Sequence, residues 1–89
     1  MAVTRRAFTA RVNPAALRMA LNFRRYSYRE MERRSGVSYS LIGHLVTGQR
    51  STCNPETAAK IAEALDVETS EIFMLEALHG TESSTRMAA

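Results

Sequence analysis

The stretch that decides the fold is Ser27-Tyr28-Arg29-Glu30-Met31-Glu32-Arg33-Arg34-Ser35-Gly36-Val37-Ser38-Tyr39-Ser40-Leu41-Ile42-Gly43-His44-Leu45-Val46-Thr47-Gly48. Ser27 followed by Glu30 has the S-x-x-E form of a capping box, in which a hydroxyl and a carboxylate take up the orphan amides of a helix start. Gly36 can take the left-handed conformation that stops a helix, so the spacing predicts one from Ser27 to about Ser35. Ser38 can then cap a third helix from Tyr39 to about Val46, halted by Thr47-Gly48. Two short helices joined by a tight turn that contains glycine form a helix-turn-helix, here at about 27–46.

Outward from this unit the punctuation is equally local. Upstream, Asn13-Pro14 is a helix start, since asparagine can cap and proline's fixed φ suits the first helical position. Ala16, Met19, Ala20 and Phe23 follow at i, i+3, i+4, i+7 as the expected inward stripe of a helix at 14–24, widened by Leu17 and Leu21. Downstream, Gly48–Asn54 reads as a polar loop, and Asn54-Pro55 repeats the cap-and-proline signal. Ala58, Ile61, Ala62 and Leu65 then form the cleanest amphipathic stripe in the chain, ending at Asp66-Val67. Thr69 or Ser70 is expected to cap a fifth helix carrying Ile72, Phe73, Leu75 and Leu78. No segment alternates with period two for long enough to predict a strand. The expectation is an all-α fold of five short helices: a basic arm at 1–12, a domain at 13–79 and a disordered polar tail at 80–89.

At 89 residues the chain has room for one small domain. Its 45% apolar and 24% charged residues are those of an ordinary soluble protein. It holds no apolar run of the roughly 18–20 residues a membrane span needs. The N-terminal MAVTRRAFTA has no apolar core of a secretory signal, so the expected compartment is the cytoplasm. One cysteine, Cys53, excludes an internal disulfide framework and a cysteine-built metal site. It reads as a small loop-packing residue. His44 and His79 lack a second ligand at metal spacing, and no phosphate-binding or dinucleotide fingerprint is present. No enzyme, metal, cofactor or small-molecule ligand is expected.

Charge points elsewhere. Residues 1–54 carry ten arginines against Glu30 and Glu32, a balance of +8, whereas residues 55–89 carry Lys60 and Arg86 against seven acids. Such asymmetry suggests a polyanion-binding front half. Arginine outnumbers lysine eleven to one, and its planar fork suits phosphate and base edges.

In order and spacing, Ser27 with its helix, Gly36-Val37-Ser38, Ile42, Leu45, Gly48, Pro55, Ile61-Ala62-Glu63-Ala64-Leu65 and Ile72-Phe73 resemble the Cro/repressor-type (Xre-like) helix-turn-helix family. The resemblance covers about residues 14–73 and implies a lambda-repressor-like DNA-binding domain; the loop GQRSTCNPETAAKI is similar to loops of small phage regulators. It implies base contacts from Ser38, Tyr39, Ser40, Gly43 and His44, with Val37, Ile42 and Leu45 facing inward. Tyr39 offers a hydroxyl and a ring for a thymine methyl, and His44 a donor to guanine N7 or O6. Phosphate contacts are expected from Ser27 and Tyr28 at a helix N-terminus, from Gln49, Arg50, Ser51 and Thr52 in the loop, and from the flanking Arg24, Arg25 and Arg29.

Arg5, Arg6 and Arg11 form the expected minor-groove arm. Met74, Leu75 and Leu78 are left over as a homodimer patch, because Ile72 and Phe73 match core positions of the family. The expected partners are double-stranded operator DNA and a second copy. Three departures from the family pattern involve four positions. Glu32 replaces a small residue, Ser35 an apolar one, and Leu21 with Val46 an Arg–Glu pair; an apolar pair substitutes for a buried ion pair at little cost. Rival functions are an antitoxin-like adaptor that holds a protein and an accessory DNA-bending factor. The ending Met87-Ala88-Ala89 resembles the tails by which bacterial proteases recognise tagged proteins.

Overall fold

The helix starts predicted from the caps Asn13, Ser27, Ser38 and Asn54 are helix starts in the computed structural model, which describes residues 8–78. Arg5, Arg6, His79 and the tail at 80–89 lie outside these residues. Asn13 Oδ1 accepts from the Ala16 amide at 3.2 Å and opens α1 (Pro14–Arg24). Ser27 Oγ accepts from the Glu30 amide at 3.1 Å and opens α2 (Tyr28–Ser35). Ser38 Oγ accepts from the Leu41 amide at 3.3 Å and opens α3 (Tyr39–Thr47). Asn54 Oδ1 accepts from the Glu56 amide at 2.9 Å and opens α4 (Pro55–Leu65). Gly36 and Gly48 end α2 and α3 at φ +79° and +88°, the left-handed region that carries a penalty for any side chain with a Cβ.

The all-α expectation is corrected by a small antiparallel sheet. It consists of β1 (Phe8–Val12), β2 (Thr52–Cys53) and β3 (Phe73–Ala77), in the order β2-β1-β3. Half of the supposed basic arm is therefore the central strand. In β1, Phe8, Ala10 and Val12 alternate with Thr9 and Arg11, and the structure buries Ala10 and Val12. Five residues of alternation suffice because a strand lies on each side. The fifth helix is replaced by a single 3₁₀ turn (Thr69–Glu71) and β3. Glu68, rather than Thr69 or Ser70, caps that turn, and the Glu71 carboxylate accepts from the Glu68 amide at 3.3 Å. The Asn13 amide then donates to the Ile72 carbonyl at 2.8 Å and carries the chain into the ladder with β1.

The core lies between this sheet and the four helices. Leu17, Met31, Ile42, Leu45, Ile61 and Leu65 are its largest fully buried side chains, joined by Ala10, Val12, Cys53 and Phe73 from the sheet. The α4 stripe of Ala58, Ile61, Ala62 and Leu65 is buried as its spacing predicts. The α1 stripe is rotated. Leu17 and Leu21 are its buried residues and Ala20 is half-buried, whereas Met19 is 68% and Phe23 79% exposed. Leu21 and Val46, which stand where the family carries an ion pair, are both in the apolar core. Ser35 also finds a use. Its Oγ donates to the Met31 carbonyl at 2.6 Å and accepts from the Val37 amide at 3.1 Å, tying the end of α2 to the turn.

Candidate nucleic-acid interface

The turn Gly36–Ser38 sets the relation between α2 and α3. Gly36 reverses the chain, and Val37 is buried immediately after it. On α3, Ile42, Leu45 and Val46 are in the core, which leaves Ser38, Tyr39, Ser40 and His44 exposed along the other side. Gly43 is half-buried for a specific reason: a Cβ there would lie 3.3 Å from Cε2 of Tyr28. The missing side chain lets the Tyr28 ring lie against α3. Tyr28, expected as a phosphate contact, is thus also part of the packing between the two helices.

The structure joins two of the expected contacts into one unit. The Arg29 guanidinium carbon sits 4.3 Å from the centroid of the Tyr39 ring, which is 40% exposed. A planar cation over a ring face is held by the ring quadrupole, so a cation of α2 and the first residue of α3 are presented together. Neither spacing nor composition signals this stack, because the two residues lie on different helices.

The other arginines separate by what they touch. Arg33 and Arg34 both bind the Glu30 carboxylate, and Arg34 also lies 4.4 Å above the Tyr26 ring. The hydrogen bond from Arg33 leads the causes that hold the Glu30 carboxyl below the usual carboxylate range. The second half of the expected capping box is accordingly not made by Glu30, whose two oxygens face these arginines. Arg24, expected to flank a phosphate strand, donates from Nε to the Leu65 carbonyl at 3.2 Å and lies 3.5 Å from Asp66. It is committed to the C-terminal end of α4, where a cation meets the negative end of the helix dipole. Arg25 is exposed and ends α1 in the left-handed region at φ 61°.

Arg11, expected in a minor-groove arm, stands in β1, and its Nε donates to Glu76 at 2.8 Å. That hydrogen bond and charge raise its pKa and keep it ionised.

Past α3, the Arg50 amide shares the His44 carbonyl with the Gly48 amide, at 3.1 and 3.0 Å. This closes a tight loop that holds Gln49, Arg50 and Ser51 exposed. Thr52 is half-buried in β2 opposite Arg11. Cys53 is buried opposite Ala10, and burial pushes its thiol pKa up against the opposing pull of Arg50. That environment is the reverse of what activates a thiol. Among the described residues, no group of three or more His, Cys, Asp or Glu is placed to hold a metal ion. No helix among them is long and apolar enough to cross a membrane.

Exposed Tyr39, Ser40, His44 and Arg50 thus share the α3 end of the molecule with the N-terminus of α2, while Glu63, Asp66, Glu68 and Glu71 gather where α4 meets the 3₁₀ turn. The helix-turn-helix family model matches residues 16–72, from α1 to the residue before β3. The chain belongs to the Xre/Cro-type helix-turn-helix family. No curated protein and no solved structure gives a significant match. Membership in this helix-turn-helix family makes the domain that of a DNA-binding regulator, with α3 in the place of the recognition helix. The strands β1 and β3 lie outside the matched span, and β2 lies within it.

Proposed function

We propose that this protein is a sequence-specific transcriptional regulator of the phage Cro/repressor kind, which occupies an operator and blocks a promoter. The observation that carries the reading is the outward face of α3, where Tyr39 is stacked under Arg29 at the mouth of the helix-turn-helix. In the major groove, Tyr39, Ser40 and His44 would meet base edges, and Ser38 and Gly43 would allow the close approach. Ser27 and Tyr28 at the start of α2, with Arg29, Arg25, Gln49, Arg50 and Ser51, would hold phosphates on either side. Arg24, bound at the C-terminal end of α4, and Arg11, bound to Glu76, are left out of this surface.

Operators with two half-sites call for two copies. The residues expected to join them, Met74, Leu75 and Leu78, now stand on or just past the outer strand of the sheet. The test is selection of bound duplexes from a random pool, followed by titration of the selected site against scrambled DNA. A shared motif is expected, with Arg50→Ala weakening both duplexes alike and lowering the slope of log affinity against log salt by about 0.9. Equal affinity for selected and scrambled DNA would reject sequence-specific regulation.

A further inference from the structure

The core uses only part of the apolar surface of α1. Leu17 and Leu21 turn inward, while Ala16, Met19, Ala20 and Phe23 recur at i, i+3, i+4, i+7 along a neighbouring face. That face lines an open apolar groove together with Leu65, Val67 and Ile72. Leu65 and Ile72 are core residues, and Ala20 and Val67 pack against the core. Met19 and Phe23, by contrast, are the two most exposed large apolar side chains among the described residues. Arg24 steadies the Phe23 side of the groove. Its guanidinium carbon lies 5.6 Å from the Phe23 ring centroid while its Nε donates to the Leu65 carbonyl.

The groove continues into an acidic hollow. Val67 and Glu71 line both, and the hollow adds Glu63, Asp66 and Glu68, all exposed. Glu68 and Glu71 cap the 3₁₀ turn by accepting from its backbone amides, which fixes their carboxylates without neutralising them. Arg24 is the one cation among the described residues that line either depression, and Asp66 lies 3.5 Å from it. Four carboxylates against one guanidinium leave a surplus of three negative charges beside the apolar groove. None of the residues proposed to meet DNA lines the groove or the hollow.

We propose that this groove receives a basic amphipathic helix of a second protein. Its apolar side chains enter beside Met19 and Phe23, and its lysines or arginines lie against Glu63, Glu68 and Glu71. Charge decides among the occupants. A second copy docked by two-fold symmetry would bring the same groove and the same carboxylates, setting like charges together. An anionic lipid surface is repelled for the same reason. The shape favours a helix. The stripe from Ala16 to Phe23 runs about 10 Å along α1, two helical turns, and the small Ala16 and Ala20 let another helix approach closely. The groove is lined by α1, the end of α4 and the 3₁₀ turn rather than by a strand edge that an extended peptide would join. Because α3 stays free, the partner and DNA can be held at once.

The probe is a synthetic helix of about four turns with leucine at i, i+3, i+4 and i+7 on one face and lysine elsewhere; a control carries glutamate for every lysine. The peptides are titrated into the full chain without DNA and followed by NMR. The lysine peptide is expected to bind saturably, to shift the Met19 and Ala20 methyl signals and to weaken as salt rises. The glutamate peptide is expected not to bind. Phe23 is exposed enough for Phe23→Ala to keep the fold, which circular dichroism checks, and this variant should weaken the lysine peptide at least about 10-fold. Glu63→Lys, on the exposed side of α4, should weaken it by about 2- to 5-fold. Absence of binding, equal binding of both peptides, shifts confined to α3 or β3, or an affinity that ignores Phe23→Ala overturns the proposal. So does a parent dimer that Phe23→Ala dissociates in sedimentation, or attachment through Phe23 to vesicles of anionic lipid, since either names a different occupant. With no duplex present, the peptide result stands or fails apart from the operator reading.

Discussion

If Arg29 and Tyr39 meet DNA as one unit, replacing them singly and together by alanine will reveal it. The guanidinium lies 4.3 Å from the ring centroid, and the ring is partly open to solvent. A stack so exposed contributes about 0.5–1 kcal/mol. The base contact of Tyr39 adds about 1–3 kcal/mol of discrimination, roughly 5- to 150-fold in affinity for the selected site. If Arg29 neutralises one phosphate, as proposed, its loss should weaken all sequences and lower the salt slope by about 0.9. Tyr39→Ala also unmoors Arg29, and part of each penalty is therefore shared. The double variant should fall short of the sum of the single losses by about 0.5–1 kcal/mol.

The assay is fluorescence anisotropy on the selected and the scrambled duplex, from about 50 to 200 mM salt. Equal losses on both duplexes for Tyr39→Ala would refute base reading. Strict additivity would refute the joint presentation of the two residues.

Other consequences concern the scaffold. Gly36→Ala is expected to cost about 1–2 kcal/mol, because φ is +79° while no atom lies within 4 Å of the added methyl group; the penalty is conformational, and an unchanged melting temperature would contradict it. Cys53 should react with a thiol reagent only as fast as the fold opens, since burial raises its pKa; labelling of the native protein at the rate of a free thiol would refute its placement in β2. The Glu30 carboxyl is lowered chiefly by its hydrogen bond from Arg33, so the stability it contributes is present above the ordinary carboxylate value. That stability is lost as pH falls through its lower folded value. A carboxyl titration followed by NMR checks this, and a midpoint at or above the ordinary glutamate value would refute the pairing.

Much of the helix-turn-helix was legible in the sequence because its signals close over three or four residues. Ser27, Ser38, Asn13 and Asn54 each bind an amide two or three positions on, and Gly36 and Gly48 each end a helix by their own φ. The stripe of α4 was legible for the same reason: its period is a property of one helix, and its neighbours cover that whole face. The stripe of α1 misled. Leu17 and Leu21 share that helix with Met19 and Phe23, and only the position of the other elements decides which pair goes inside.

By itself, then, the sequence determined four helix starts, the turn between α2 and α3, the basic front half and the membership in a DNA-binding family. Tertiary structure alone decided the sheet. Met74, Leu75, Glu76 and Ala77 favour a helix by composition and spacing, yet β1 pairs with this segment in an unbroken antiparallel register, and Arg11 meets Glu76 across 65 positions of chain. The same long-range pairing took Arg11 out of the supposed arm and placed Met74 and Leu75 of the expected dimer patch on a strand. The stack of Arg29 on Tyr39 is likewise a contact between segments that carry no local mark of each other. Caps and periods are written into neighbouring residues. Which faces meet is settled only when the whole chain competes to bury the same apolar surface and to satisfy the same amides.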